Sequence, residues 1–259
     1  MGQEDICEMN LSRAIHPYSR LGHMEALEGA IILERKLQVC SSNMANLETN
    51  GFKAQGITFE EYLLKEQDGT NRTAKGEVTW ADFSQAPVHF TGNPYDFAID
   101  GDGFFVVQTP NGRMYTRGGN FHLDSQYRLV TQQGYPVLGD GVPITLEDTT
   151  GTGVWLSEDR NFFVDETMTS KLDVVQFADQ GKLKRLGGNL FQETKGSGRA
   201  LPAETPVKQG YIEESNVNAM TEMVHLIDLY RGYEVQQKAL QAEDQLDNKA
   251  ANELGKTGG

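Results

Sequence analysis

The feature that most constrains this chain is the place where a long helical pattern stops. Ala26, Ala30, Leu33, Leu37, Cys40, Met44 and Leu47 recur at alternating spacings of four and three, which draws one apolar seam down a helix that packs against another helix. The pattern ends in SSNMANLETNGFK, residues 41–53. There Asn50-Gly51 supplies the left-handed conformation that closes a helix. A seam of this kind needs a partner. The comparable stretch lies at the far end, residues 216–250, so the two termini are expected to meet with everything between them looped out.

The C-terminal helix is predicted to start at Asn218 as N-cap, with Glu222 in its first turn. Met220, Met223, Ile227 and Tyr230 form one stripe, and Gly232, Val235, Ala239, Ala242 and Leu246 a second one displaced around the helix. A continuous heptad keeps a single stripe, so a stutter or bend is expected near Arg231–Glu234.

Between the helices the period shortens to two. DFAIDGDGFFVVQTPNGRMYTR alternates runs rich in β-branched and aromatic residues with Asp-Gly and Asn-Gly turns, and FHLDSQYRLV, YPVLGDGVPITL, VWLSEDRNFFV and KLDVVQFA continue the scheme. The 28 glycines suit so many turns. The expected fold class is α+β: long N- and C-terminal helices forming a coiled-coil-like pair, with a central, mainly antiparallel β domain. The boundaries read as a flexible extension over 1–23, the N-terminal helix and its signature over 24–53, a linker over 54–75, the β domain over 76–210 and the C-terminal helix over 211–259.

A net charge of −14 argues against nucleic acid, because phosphate binding needs clustered Lys and Arg. Residues 1–30 carry charges throughout and lack the continuous apolar core of a Sec-type signal, and no stretch reaches the ~20 apolar residues that span a bilayer. The chain is expected to be cytosolic or to leave by a route that reads another signal. Cys7 and Cys40 make no disulfide framework, and Cys40 falls on the apolar seam.

Local chemistry is sparse. Asp100-Gly101-Asp102-Gly103 is too short for a calcium loop, with Asn111 where the twelfth-position Glu belongs. The five histidines are far apart, and no HExxH, GxSxG, phosphate loop or GxGxxG before a helix occurs. No enzyme activity, cofactor or metal is expected. The carboxylates a glycan-cleaving alternative would need are Asp96, Asp100, Asp102 and Asp124.

Three separated motifs carry a family resemblance. SSNMANLETNGFK resembles the N-terminal signature of the flagellar rod, hook and hook-associated family, with Asn43, Ala45, Asn46, Thr49, Gly51, Phe52 and Lys53 on its positions and Ser42 in place of the first Asn. GNPYDFAIDGDGFFVVQTPNGRMYTRGGNFHLD is similar to its middle motif. GYIEESNVNAMTEMVHLIDLYRGYEVQQKAL is similar to its C-terminal motif, including Asn216 and Asn218, with Gln236 where Asn is more usual. The length and single β domain resemble a rod member, and GYPVLGDGVPI and GNPYDFAIDGDGFF resemble the proximal rod more than the distal rod or a short hook-type protein.

The resemblance implies a structural subunit exported through the flagellar type III apparatus and assembled in the periplasmic basal body with its own copies and other rod and hook proteins. It also implies an inner layer of terminal helices, and hence an assembly interface at Ala30, Leu33, Leu37, Met44, Leu47, Met220, Met223, Ile227, Tyr230, Val235 and Ala239. Each seam position removed from water contributes roughly 1.5–3 kcal/mol.

Overall fold

Phe104, Phe105, Val106 and Val107 lie in a strand buried on both faces, and the β-rich part of the molecule is built around it. Successive side chains of a strand point to opposite sides. Phe105 and Val107 accordingly join one apolar cluster, with Phe97, Phe121, Leu129 and Phe162, and Phe104 and Val106 join another, with Tyr115, Phe177 and Phe191. The coordinates are a computed structural model that describes residues 27–65, 71–146, 153–164 and 167–257. The extension expected over 1–23 lies outside the described residues.

The strand Phe104–Thr109 sits inside a six-stranded sheet whose order is Lys184–Gly187, Leu190–Gln192, Gly112–Thr116, Phe104–Thr109, Val174–Gln176 and Leu201–Pro202. Every neighbouring pair in it is antiparallel. Gln108-Thr109 and Gly112-Arg113 close the Pro-Asn-Gly turn read from the sequence. A three-stranded antiparallel sheet, Val154–Leu156, Asn161–Val164 and Thr167–Lys171, turns Phe162 into the first cluster. Four short ladders join this part, Val207–Gln209 on Phe97–Ile99, Tyr211–Glu213 on Val88–Phe90, His122–Leu123 on Leu129–Val130 and Leu138–Gly139 on Val142–Pro143.

The chain divides into two compact units. One comprises Asn43–Gly56 and Thr79–Ala219, the other the segments up to Ser42, Ile57–Val78 and Met220–Gly259. The helix α1 spans residues 27–45 among those described, and α2 spans Ala219–Thr257, 39 residues. Two long strands, Gln55–Lys65 and Asn71–Ala81, pair as a ribbon where the sequence reads as a linker.

The coiled-coil-like pair of terminal helices is not what forms. Met220, Met223, Ile227, Tyr230 and Val235, expected in its seam, are 75%, 47%, 52%, 59% and 66% exposed, and Ala239 is exposed as well. α2 meets α1 instead through another side, at Cys40 Sγ to the Glu222 carbonyl, at Leu33 beside Gly232, and at Gln236 beside Gly29. The half-buried residues of α2, among those described, are Ala219, Glu222, Leu226, Leu229, Gly232, Tyr233, Gln236, Leu240 and Glu243. Three of these, Glu222, Gln236 and Glu243, are polar, which an apolar seam does not accommodate. The helix runs unbroken across Arg231–Glu234, where the two stripes change over. The first stripe faces solvent, as do Val235, Ala239, Ala242 and Leu246 of the second, whereas Gly232 lies against Leu33 of α1.

Candidate functional site

The signature residues 43–55 lie in the β-rich unit and are tied there to the stretch that leads into α2. α1 ends at residue 45, and Gly51 follows with φ +66. Its α-carbon lies so close to the Arg117 carbonyl that a methyl group there would sit 2.4 Å from the carbonyl carbon. Gly51 is therefore required twice, by its left-handed backbone and by lack of space. Its N–H donates to the Glu213 carbonyl at 2.7 Å.

The neighbours of Gly51 are tied down in the same way. Asn43 uses its amide like a peptide group, accepting from Gln55 N–H and donating to Gln55 C=O, both at 2.9 Å. Thr49 Oγ1 donates to Asn46 Oδ1 at 3.1 Å. Asn216 reaches across from the C-terminal side. It accepts from Ala54 N–H at 2.7 Å and donates to Asp82 C=O at 2.8 Å, while its own N–H donates to Phe52 C=O. The entering and leaving segments are thus stitched side by side.

A buried ion cluster locks the stitch. Lys53 is fully buried, and its Nζ donates to Glu213 Oε1 at 2.7 Å and to Ser84 C=O at 2.6 Å. Glu213 Oε2 accepts from Arg117 Nε at 2.9 Å, and Arg117 also donates to the Gly103 and Gly101 carbonyls. Burial pulls the Lys53 ammonium below its usual value, and the Glu213 carboxylate pulls it partly back. Arg185 lies over the Phe52 ring, 4.1 Å from its centre, and donates to Lys53 C=O at 2.8 Å. Burial lowers its guanidinium to about 10. A buried charge is tolerated only when paired and hydrogen-bonded: Lys53 and Arg117 share the Glu213 carboxylate, and Arg185 is held by the Lys53 carbonyl and the Phe52 ring.

The structure gathers Asn43, Gly51, Phe52, Lys53 and Asn216 of the signature into this clasp, with Asn46 and Thr49 in the turn before it. Ala45 and Asn218 stay on the surface. Of the expected interface residues, Ala30, Leu33, Leu37, Met44 and Leu47 are half-buried, in contrast to the exposed set on α2. Sequence reasoning missed Glu213, Arg117 and Arg185. The first two stand inside the matched motifs, in GYIEESNVN and YTRGGNF, where their charges in apolar surroundings were the available signal.

The acidic residues do not form a catalytic pair. Asp96 accepts from Thr91 Oγ1 at 2.6 Å and from Asn93 Nδ2 at 3.1 Å. Asp100 pairs with Lys208 at 2.7 Å, and that bond holds its carboxyl below the ordinary carboxylate range. Asp124 is lowered by hydrogen bonds from Arg128 and Gln126 within one turn. A general acid requires the opposite shift. Among the described residues no group of three His, Cys, Asp or Glu side chains is placed to hold a metal, and no helix is long and apolar enough to cross a membrane.

Two family profiles match. One, described as flagellar basal body rod FlgEFG protein C-terminal, covers residues 208–254, and another, flagellar hook protein FlgE/F/G D1 domain, covers 98–167. The chain is 34% identical over 239 residues to the flagellar basal-body rod protein FlgG of Buchnera aphidicola subsp. Schizaphis graminum, covering 82% of this chain and 92% of the relative. It is 32% identical to the flagellar basal-body rod protein FlgF of Caulobacter vibrioides, covering 89% and 96%. It is 31% identical to FlgG of Bacillus subtilis, covering 87% and 96%.

Proposed function

Because this chain belongs to the flagellar basal-body rod family, we propose that its helical unit is the assembly element and its β-rich unit the rigid body that presents it. The chain is a structural subunit of the basal-body rod, and it assembles with other flagellar rod and hook proteins. The observation that carries the assembly reading is the row Met220, Met223, Val224, Ile227 and Tyr230, all exposed, on a helix whose other side is covered. A monomer that stayed a monomer would bear a contiguous apolar strip in water, and such strips mark association surfaces. Met and Tyr are also enriched at interfaces.

In this reading the subunit leaves through the flagellar type III apparatus and packs into the periplasmic shaft that carries torque from motor to hook. Export before assembly keeps the strip from premature association. GYPVLGDGVPI and GNPYDFAIDGDGFF support a proximal-rod position. The FlgG relative at 34% identity supports the second reading, a distal-rod position. Mass spectrometry of purified hook–basal bodies tests the proposal, with cross-links to neighbouring subunits separating proximal from distal. Recovery at a few copies per structure is expected, and absence from intact basal bodies would overturn it.

A further inference from the structure

The dipeptide Asn-Gly occurs twice in the chain, at Asn50-Gly51 and at Asn111-Gly112, and the two copies stand in opposite surroundings. Asn-Gly is chemically reactive because glycine sets no side chain over its own amide nitrogen, which is then free to approach the carboxamide carbon of the preceding asparagine. At Asn111-Gly112 that approach is open. Asn111 is exposed at the tip of the hairpin between Phe104–Thr109 and Gly112–Thr116, and its side-chain amide makes no hydrogen bond among the described residues. Nothing lies within 4 Å of a methyl group placed on Gly112, and Gly112 pairs with Thr109 at the very end of its ladder, where opening costs least. At Asn50-Gly51 the same peptide is held on both sides. The Asn50 C=O accepts from Asn189 Nδ2 at 2.9 Å, the Gly51 N–H donates to the Glu213 C=O at 2.7 Å, and Gly51 is buried against the Arg117 backbone. The nitrogen that would have to attack is engaged elsewhere.

We propose that Asn111 is a site of spontaneous deamidation in the folded subunit, and that the clasp exempts Asn50 from the same reaction. The chemistry needs water alone. The Gly112 amide nitrogen gives up its proton and forms a bond to Asn111 Cγ; the Cγ–Nδ2 bond breaks, and Nδ2 takes up a proton and leaves as ammonia. Water then opens the resulting succinimide at either of its carbonyls. Opening at Cγ gives an ordinary aspartate, whereas opening at the main-chain carbonyl leaves the backbone running through Cγ and gives isoaspartate. Either product adds a negative charge beside the exposed Arg113. The second also lengthens the turn by one backbone carbon. That insertion falls on Thr109, whose hydroxyl accepts from the Asn111 N–H at 3.3 Å and donates to the Gly112 carbonyl at 2.9 Å. It therefore loosens the end of the hairpin that aligns Val107 with Met114.

Peptide mapping of the full-length chain decides it. The folded protein, the same protein unfolded in guanidinium chloride and the folded Asn111→Gln variant are held in mildly alkaline buffer until the unfolded chain has converted at both Asn-Gly pairs. Each is then digested, and its peptides are read by mass and by backbone fragmentation, which separates aspartate from isoaspartate. The folded chain is expected to convert at Asn111 and to react at Asn50 at least about tenfold more slowly, because Asn50 reacts only in the fraction of molecules whose turn has opened. Ammonia release from the folded chain is expected to fall sharply in Asn111→Gln. An Asn111 left intact in the folded chain would overturn the proposal, as would ammonia release that persists in the variant. Equal conversion of the two sites in the folded chain would overturn the protection assigned to the clasp.

Discussion

In the β-rich unit Phe97, Phe105, Phe162 and Phe191 are wholly shielded from water, whereas in the helical unit Met220, Ile227, Tyr230 and Val235 are each more than half exposed. Both units spend apolar residues freely, but only one of them buries these within a single chain. The β-rich unit buries two aromatic clusters on either side of one strand and an ion cluster beside them, while Phe90, Tyr127, Trp155, Met168 and Leu201 stay exposed. The helical unit is half complete. Cover of its exposed apolar row by another subunit would contribute roughly 1.5–3 kcal/mol for each large side chain.

That contrast can be broken most severely at the clasp. Glu213→Ala strands Lys53 and Arg117 as buried charges without a partner, and removal of one member of a buried pair costs about 3–5 kcal/mol. Chemical denaturation followed by near-ultraviolet signal is expected to show the loss in the β-rich unit. An unchanged midpoint would mean that water reaches the cluster. Gly51→Ala comes next, on the order of 3 kcal/mol, from overpacking against Arg117 together with a strained left-handed backbone. Differential scanning calorimetry measures it, and a loss below about 1 kcal/mol would show that the turn can shift.

Ile227→Asp touches the other unit and is expected to do the reverse. As a change at an exposed helical position it alters the stability of the free chain by no more than about 1 kcal/mol, yet it is expected to abolish assembly and motility. Swimming cells would contradict this. Smallest is Asp100→Asn, which removes an exposed pair with Lys208 worth up to about 1 kcal/mol, and no loss of motility is expected.

Alkaline pH distinguishes the units differently. Cys40 has its folded value raised from 9.0 to about 12. Its contribution to the helical unit is therefore complete below pH 9 and is lost as the pH rises toward 12. Thiol labelling of Cys40 at pH 8 is expected to be slower than that of an exposed cysteine by roughly two to three orders of magnitude. Comparable rates would mean that α1 and α2 separate readily.

The sequence showed its strands plainly, because DFAIDGDGFFVVQTPNGRMYTR carries both the alternation and the turn chemistry in adjacent residues. Gly51 was equally legible. What failed was the pairing of the helices. A periodic apolar stripe states that a face will be buried and is silent on whether its partner belongs to the same chain, so Met220, Met223, Ile227 and Tyr230 fit an internal seam and a contact between subunits equally well. The ribbon Gln55–Lys65 with Asn71–Ala81 is hidden in the sequence because KEQDGTNRTAKG has no apolar alternation and reads as a linker. The clasp lay out of reach for another reason: Lys53 and Glu213 are 160 positions apart, and their meeting depends on the whole sheet between them.

The central claim is that the row on α2 is exposed in the free subunit and covered in the rod. Met223→Cys, labelled with a maleimide in the purified chain and in intact basal bodies, tests it most directly. Rapid labelling of the free chain and protection in the basal body are the predicted result. Equal labelling in both would contradict the account, because the helical unit would then gain no burial from assembly.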